Sequence, residues 1–208
     1  MKGKFISFEG IEGTGKSTQA RLLYEHLIKK GYIALLTEEP GGTQIGLKIR
    51  DLLLSVEHKG MLPLTEMLLY NASRVQHIED VILPAMQKGA IVITDRFTDS
   101  TVAYQGYGRG IDLSIIRSLE RTVTAGLKPD ITILLDLDVE TGLKRNRGIN
   151  KTDRLELEDV KFHKRVKNGY LKIASKKKKR IKVIDASESM EQVQNKIRKI
   201  ITGFLKNR

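Results

Sequence analysis

The sequence predicts an α/β protein: a parallel sheet of five strands covered by helices on both faces. Two observations carry that expectation. Strand-like and helix-like segments alternate along the whole 208 residues, the pattern of repeated strand–helix–strand units. The segment GAIVITDR at residues 89 to 96 is apolar almost throughout rather than alternating, as a strand must be when both faces of its sheet are covered.

KFISFEG, from Lys4, is the first strand, and a helix follows from Lys16 to Lys30. Gly31 closes that helix, because glycine accepts the left-handed conformation that ends helices. YIALLTEEP is the second strand, stopped by Pro40 and the glycines after it. Helical spacing returns from about Ile45 to Leu54 and from Leu64 to Gln87. After the third strand, DLSIIRSLERTVTAGL reads as a helix ending at Gly126. DITILLDLD is the fourth strand, ETGLKRNR a basic helix, and RIKVIDAS the fifth strand. Met190, Val193, Ile197, Ile200 and Phe204 share one face of the last helix. No repeat, low-complexity tract or linker interrupts the series, so one domain over residues 1–208 is expected.

Composition narrows the class. Hydrophobic residues make up 40% of the chain, too many for a disordered one. No apolar run approaches the roughly 18 residues of a membrane span. MKGKFISFEG reads as a first strand rather than a signal peptide. With no cysteine there are no disulfides or thiolate metal sites. A cytoplasmic protein without a membrane partner is expected. The net charge of +12 suits a polyanionic ligand, small or large. The densest run, KKKKR at 176 to 180, reads first as a solvated helix end. Few aromatics and no basic–aromatic interleaving speak against a nucleic-acid platform.

In a wrapped parallel sheet, ligands sit beyond the carboxyl ends of the strands. The polar, chemistry-bearing segments fall there: GIEGTGKST, EEPGGT, DRFTDS and DAS each follow a strand. The first contains G-x-x-x-x-G-K-[ST], with Gly10, Gly15, Lys16 and Ser17 in the fixed places. In such a loop backbone N–H groups cradle phosphates, the lysine reaches the transferring end, and the hydroxyl can ligate Mg²⁺. A strand before it and a helix after it supply the required context, so a nucleoside triphosphate with Mg²⁺ is expected. NKTD at 150 to 153 matches the guanine-reading pattern of GTPases, but it lies well beyond the strand it should directly follow, and no D-x-x-G switch accompanies it.

Phosphoryl transfer between two phosphorylated molecules needs cations around the transferred group. GLKRNRGINKTDR, residues 142 to 154, carries Lys144, Arg145, Arg147, Lys151 and Arg154 around a Gly/Asn centre, the composition of a lid that shuts out water. After strand three, Asp95 can hold a Mg²⁺-bound water and Arg96 can clamp an acceptor phosphate.

Taken together, FEGIEGTGKST, EEPGGT, YNASR, DRFTDSTVAYQGYGRG, LKPDITILLDLD, the basic lid and IDAS resemble the bacterial thymidylate kinase family over nearly the full chain. The resemblance implies the three-layer P-loop NTPase fold and transfer of the γ-phosphate of ATP to dTMP, with Mg²⁺, in a homodimer. It implies that Gly10, Ile11, Glu12, Gly13, Thr14, Gly15, Lys16 and Ser17 hold ATP, with Ser17 and Asp95 at the metal. Tyr70 would stack on thymine, and Arg74, Thr101 and Gln105 would read the base. Arg96 and Arg50 would hold the acceptor phosphate, Tyr104 would crowd the 2′ position, and Glu39 would serve the metal and phosphate end. Glu12 would face the acceptor and take a hydrogen bond from its 3′-hydroxyl. Catalysis would rest on Lys16, Glu12, Arg96 and a lid cation.

Three residues depart from the family's usual pattern. Tyr70 stands where phenylalanine is usual, Glu38 where arginine is usual before EPGG, and Ile149 where a lid arginine is common. Arg147 and Lys151 are both candidates for that missing charge.

Overall fold

The computed structural model describes residues 3–147 and 153–206, apart from the side chain of Arg147. Five strands, β1 (Lys4–Glu9), β2 (Ala34–Glu38), β3 (Ile91–Asp95), β4 (Ile131–Asp136) and β5 (Ile181–Asp185), form one parallel sheet in the order β2-β3-β1-β4-β5. The register sets Glu38 beside Asp95, and Asp95 beside Phe8, so the carboxyl ends of the three strands are level. β1 and β3 are interior and almost wholly buried, whereas the edge strand β2 is half-buried.

Side chains alternate across β1 and divide the interior into layers. Ile6 and Phe8 face Ala20, Leu23 and Leu27 of α1 (Lys16–Lys29) and Val193, Ile197 and Ile201 of α9 (Met190–Lys206). Phe5 faces the other way, into a cluster with Val92, Ile78, Ile82 and Phe97. Beside it, Leu134 and Ile181 pack on Phe162, Val166, Tyr170 and Ile173 of α8 (Val160–Lys176). The three expected layers are therefore present.

Further helices connect the strands. They are α2 (Gln44–Leu54), α3 (Pro63–His77), α4 (Leu83–Gln87), α5 (Thr98–Thr101), α6 (Leu113–Thr124) and α7 (Val139–Arg147). Helix α4 leads into the amino end of β3. α3 and α4 are joined by a wide π-type turn at Ile78–Ile82, so the helix expected from Leu64 to Gln87 is one path with a widened middle. Gly31, at φ +81, lies just beyond α1 as expected.

DRFTDSTVAYQGYG, to which the sequence assigns no element, coils after Phe97 through α5 and a second π-type stretch, Val102–Gly108. Its β-branched residues and two glycines hide the helical period. Those glycines serve packing, since a Cβ on Gly108 would come within 2.7 Å of the Phe162 ring. The KKKKR run is only partly solvated, because Lys177 and Arg180 reach the buried Asp99, Arg180 at 2.7 Å.

Candidate active site

β1 runs into the glycine loop, and the loop into α1. Gly15 stands at the helix N-cap in the left-handed region, φ 85, and no side chain caps the helix. Its first N–H groups therefore face the loop, where an anion is favoured. Lys16 is buried and folds back, Nζ donating to the Ile11 carbonyl at 2.8 Å, while Thr14 Oγ1 donates to the same oxygen at 2.9 Å. Gly10, Ile11 and Thr14 thus shape the loop, and Gly13, Gly15, Lys16 and Ser17 line the cavity beside it.

Burial, reinforced by the charge of Arg96, pushes the Lys16 ammonium down to about 8, against the pull of Asp95, Glu12 and Glu9. Bound phosphates would raise it again. Triphosphate binding near pH 8.5 is therefore expected to take up a fraction of a proton, and at pH 6.5 none through this group. Calorimetry in buffers of different ionisation enthalpy measures this. Binding enthalpies independent of buffer at pH 8.5 would refute it.

At the end of β3, Ser17 Oγ donates to Asp95 Oδ2 at 2.5 Å, while Asp95 Oδ1 is buried with no partner. A hydroxyl and a carboxylate with a spare oxygen, beside a phosphate loop, fit the oxygen preference of Mg²⁺.

Arg96 follows, with its backbone at φ +74, uncommon for a residue with a side chain. Several contacts enforce it. Arg96 N–H donates to Phe8 O at 2.9 Å, Thr94 Oγ1 donates to Arg96 O at 2.9 Å, and Phe97 N–H donates to Glu9 Oε1 at 2.8 Å. Glu9, wholly buried, also accepts from Ser100 Oγ at 2.6 Å and Tyr170 Oη at 3.1 Å. Burial and the nearby Asp99 push its carboxyl up to about 7. This buried acid holds the turn that aims Arg96. The guanidinium lies over the Tyr104 ring, 4.9 Å from its centre, and donates to Gly10 O at 3.1 Å and Glu12 Oε1 at 3.0 Å.

Glu12 points away from the donor loop's interior and across the cavity. Its Oε1 accepts from Tyr104 Oη at 2.5 Å as well as from Arg96. Burial opposes its ionisation, but His163, Arg96, Lys16 and Tyr104 outweigh that and hold the carboxyl well below the usual range. His163 Nδ1 stands 3.4 Å from Glu12 Oε2, an ion-pair distance without hydrogen-bond geometry.

The far end of the cavity is built from α2, α3 and the coil after β3. Arg74, 2% exposed, donates from Nε to Glu39 Oε2 at 2.7 Å and from Nη1 to Thr101 Oγ1 at 2.9 Å. Glu39 Oε1 lies 3.0 Å from His77 Nδ1. Both oxygens of Glu39 are thus committed, so it orients Arg74 rather than facing the metal end. Arg50 donates to Pro40 O at 2.7 Å, and Glu38 Oε2 stands 3.3 Å from it. The glutamate in place of the family's usual arginine thereby neutralises Arg50 at the rim. Gln105 donates to Glu66 Oε1 at 2.8 Å. Tyr70, Arg74, Arg50, Glu39, Thr101, Tyr104 and Gln105 line one cavity with Lys16, Ser17, Asp95 and Arg96, of about 380 Å³. That is within the range of small-molecule sites.

The basic segment divides. α7 rests directly on the phosphate loop: a Cβ on Gly13 would run into the Gly142 carbonyl, and one on Gly142 would lie 2.6 Å from Glu12 O. Arg145 donates to Ala186 O at 3.0 Å, tying α7 to the segment after β5. Lys151 and the side chain of Arg147 lie outside the described residues, as does Ile149. Of NKTD only Asp153 is described, and it accepts from the N–H groups of Leu155 and Glu156, closing a local turn. Arg154 departs from the sequence reading. It is buried, 2.6 Å from Glu66 Oε2, and donates to Leu53 O at 3.0 Å, so it anchors the segment instead of reaching phosphates. Arg154→Met is expected to lower stability by about 2–4 kcal/mol, because Glu66, 0% exposed, keeps only Arg109 as a cationic partner. Chemical denaturation measures it, and an unchanged midpoint would refute the anchoring role.

Sequence reasoning missed the supporting residues Glu9, Glu66, His77, His163 and Tyr170. Phe162, Val166, Tyr170 and Ile173 do carry a helical period that would have located α8. Nothing in the sequence marks which polar residues on these elements turn inward.

A phosphate loop that shares its cavity with an arginine-lined pocket, on a 2-3-1-4-5 parallel sheet, defines a P-loop kinase of small phosphorylated acceptors. The comparisons narrow this. The family model described as thymidylate kinase matches residues 8–197. A thymidylate kinase of Geotalea daltonii is 49% identical, with 98% of each chain covered. One of Caldanaerobacter subterraneus subsp. tengcongensis is 48% identical, over 99% of this chain and 98% of the relative. The crystal structure of thymidylate kinase from Ehrlichia chaffeensis superposes with a TM-score of 0.79 at 37% identity, covering 97% of this chain and 99% of that one. The chain belongs to the thymidylate kinase family, and with it to the nucleoside monophosphate kinases.

Proposed function

We propose that this chain transfers the γ-phosphate of ATP to dTMP, giving dTDP and ADP on the route to dTTP. The observation that carries the reading is the single cavity with the phosphate loop at one end, Tyr70 and Arg74 at the other, and Arg96 between them. Two nucleotides entering from opposite ends would meet beside Arg96, aligned for in-line transfer. Lys16 and the loop N–H groups hold the donor phosphates. Arg96 and Arg50 hold the acceptor phosphate, and Glu12 takes the acceptor's sugar hydroxyl. The Tyr70 ring stacks on the base, while Arg74, Thr101 and Gln105 supply its polar partners. Tyr104, tied to Glu12, narrows the sugar site against a 2′-hydroxyl. Ser17 and Asp95 would hold Mg²⁺, which when bound would supply positive charge to the phosphate end.

Residues 142–154 serve as the lid of a single domain, with Arg147 and Lys151 its candidates for meeting the transferred group. The reading also includes a cytoplasmic site of action. Turnover of dTMP, dUMP, UMP, CMP and AMP with ATP and Mg²⁺ tests the whole. The highest kcat/KM is expected for dTMP, and UMP or CMP clearly exceeding it would overturn the assignment.

The active form in this reading is a homodimer. Support comes from α3, where Leu64, Leu68 and Val75 are 53%, 49% and 42% exposed, flanked by exposed Ile45 and Leu52 of α2. An apolar stripe of this kind marks an association surface rather than a solvated face. Leu68→Glu is expected to shift the molecular mass in light scattering from dimer to monomer. A wild-type chain that runs as a monomer at micromolar concentration would overturn the dimer.

A further inference from the structure

His163 is wholly buried on α8, and neither ring nitrogen has a hydrogen-bond partner among the described residues. An orphaned imidazole in an interior costs about 1–3 kcal/mol, so its surroundings matter. Its Nδ1 lies 3.4 Å from Glu12 Oε2, and that oxygen is itself buried and unpartnered. The other oxygen of the same carboxylate is fully engaged by Arg96 and Tyr104. A buried donor-capable ring and a buried acceptor thus face each other a few tenths of an ångström beyond a normal N–H···O bond. The Phe162 ring packs edge-on against the imidazole at 5.4 Å, on a residue with no exposed surface.

We propose that His163 is a positioning residue for phosphoryl transfer: its Nδ1–H closes onto Glu12 Oε2 when the site fills, fixing the carboxylate that orients the acceptor. The proposal rests on the reading of Glu12 as an acceptor-side group. His163 touches neither substrate. Arg96 and Tyr104 set one end of the carboxylate, and His163 sets its rotation about that end. Without it, Oε1 remains tethered but the plane of the carboxylate is free, so the acceptor binds yet is aimed poorly. The effect therefore falls on kcat more than on KM.

Three variants test this with ATP, Mg²⁺ and dTMP. His163→Leu fills the space without a donor and is expected to lower kcat about 10-fold with KM for dTMP little changed. His163→Asn keeps an N–H near the position of Nδ1 and is expected to restore most of that loss. In a Glu12→Gln background, which should itself keep ATP binding, His163→Leu is expected to add little, because the two residues act through one contact. Thermal midpoints of all variants identify any that are merely misfolded. The ring-nitrogen NMR signals of His163 add a readout that needs no turnover: they are expected to move on Glu12→Gln in the full chain. Full kcat in His163→Leu, failure of Asn to rescue at an unchanged thermal midpoint, multiplicative losses in the double variant, or signals blind to Glu12→Gln would each overturn the proposal. If dTMP proves a poor substrate, the functional reading falls, while the NMR outcome still decides whether His163 senses Glu12.

Discussion

Replacing Arg96 with alanine is expected to lower kcat/KM for dTMP by about 10²–10³-fold while leaving ATP binding little changed. The reason is its position. The guanidinium is held over Tyr104 between the phosphate loop and the acceptor end, with donors aimed at Gly10 O and Glu12. A planar fork there can grip a phosphate in two places, which a lysine cannot reproduce. Arginine already bears the cost of φ +74, roughly 1–2 kcal/mol, and alanine inherits it unchanged. Arg96→Gly separates the two effects, because glycine takes that backbone conformation freely. Both variants should lose activity alike, whereas the glycine variant, relieved of that strain, should melt no lower than the alanine variant. Near-wild-type kcat/KM in the glycine variant would remove the guanidinium from the site.

Lys16→Ala is expected to reduce kcat on the order of 10³-fold. Lys16 is the cation inside the loop, and its present partner, the Ile11 carbonyl, is a placeholder that phosphate oxygens can displace. Stability should behave differently. The lysine's pKa is lowered in the fold to about 8 from 10.5, so the folded chain holds its charged form at a disadvantage below pH 8, and that disadvantage fades as pH rises through 10.5. At pH 7 the alanine variant is therefore expected to melt no earlier than the parent. A large fall in both activity and thermal midpoint would mean that Lys16 holds the loop together rather than the substrate.

The five strands and the phosphate loop are readable because their signals are local. A strand–loop–helix with fixed glycines, and apolar strands in the sheet's interior, need no knowledge of what packs on them. Arg96 and Asp95 were readable for the same reason, since a strand's end in a wrapped sheet is a predictable place. Arg154 was misread because its neighbours in sequence are basic and its partner is not among them: Glu66 comes from α3. Glu39 was placed at the metal end, yet its partners Arg74 and His77 lie on another helix. Glu9 directly precedes the phosphate-loop signature, but its work is done on the backbone of Phe97 and on Ser100. Those pairings are made by the fold, and no spacing in the chain announces them.

The bare contact between Gly13 and Gly142 has a mechanical consequence. Two backbones meet there with no side chain to cushion them, so the turn of the phosphate loop and α7 form one rigid joint that neither can shift without displacing the other. An alanine at either position would wedge that joint open, because its Cβ would overlap the facing carbonyl oxygen, that of Gly142 against position 13 and that of Glu12, at 2.6 Å, against position 142.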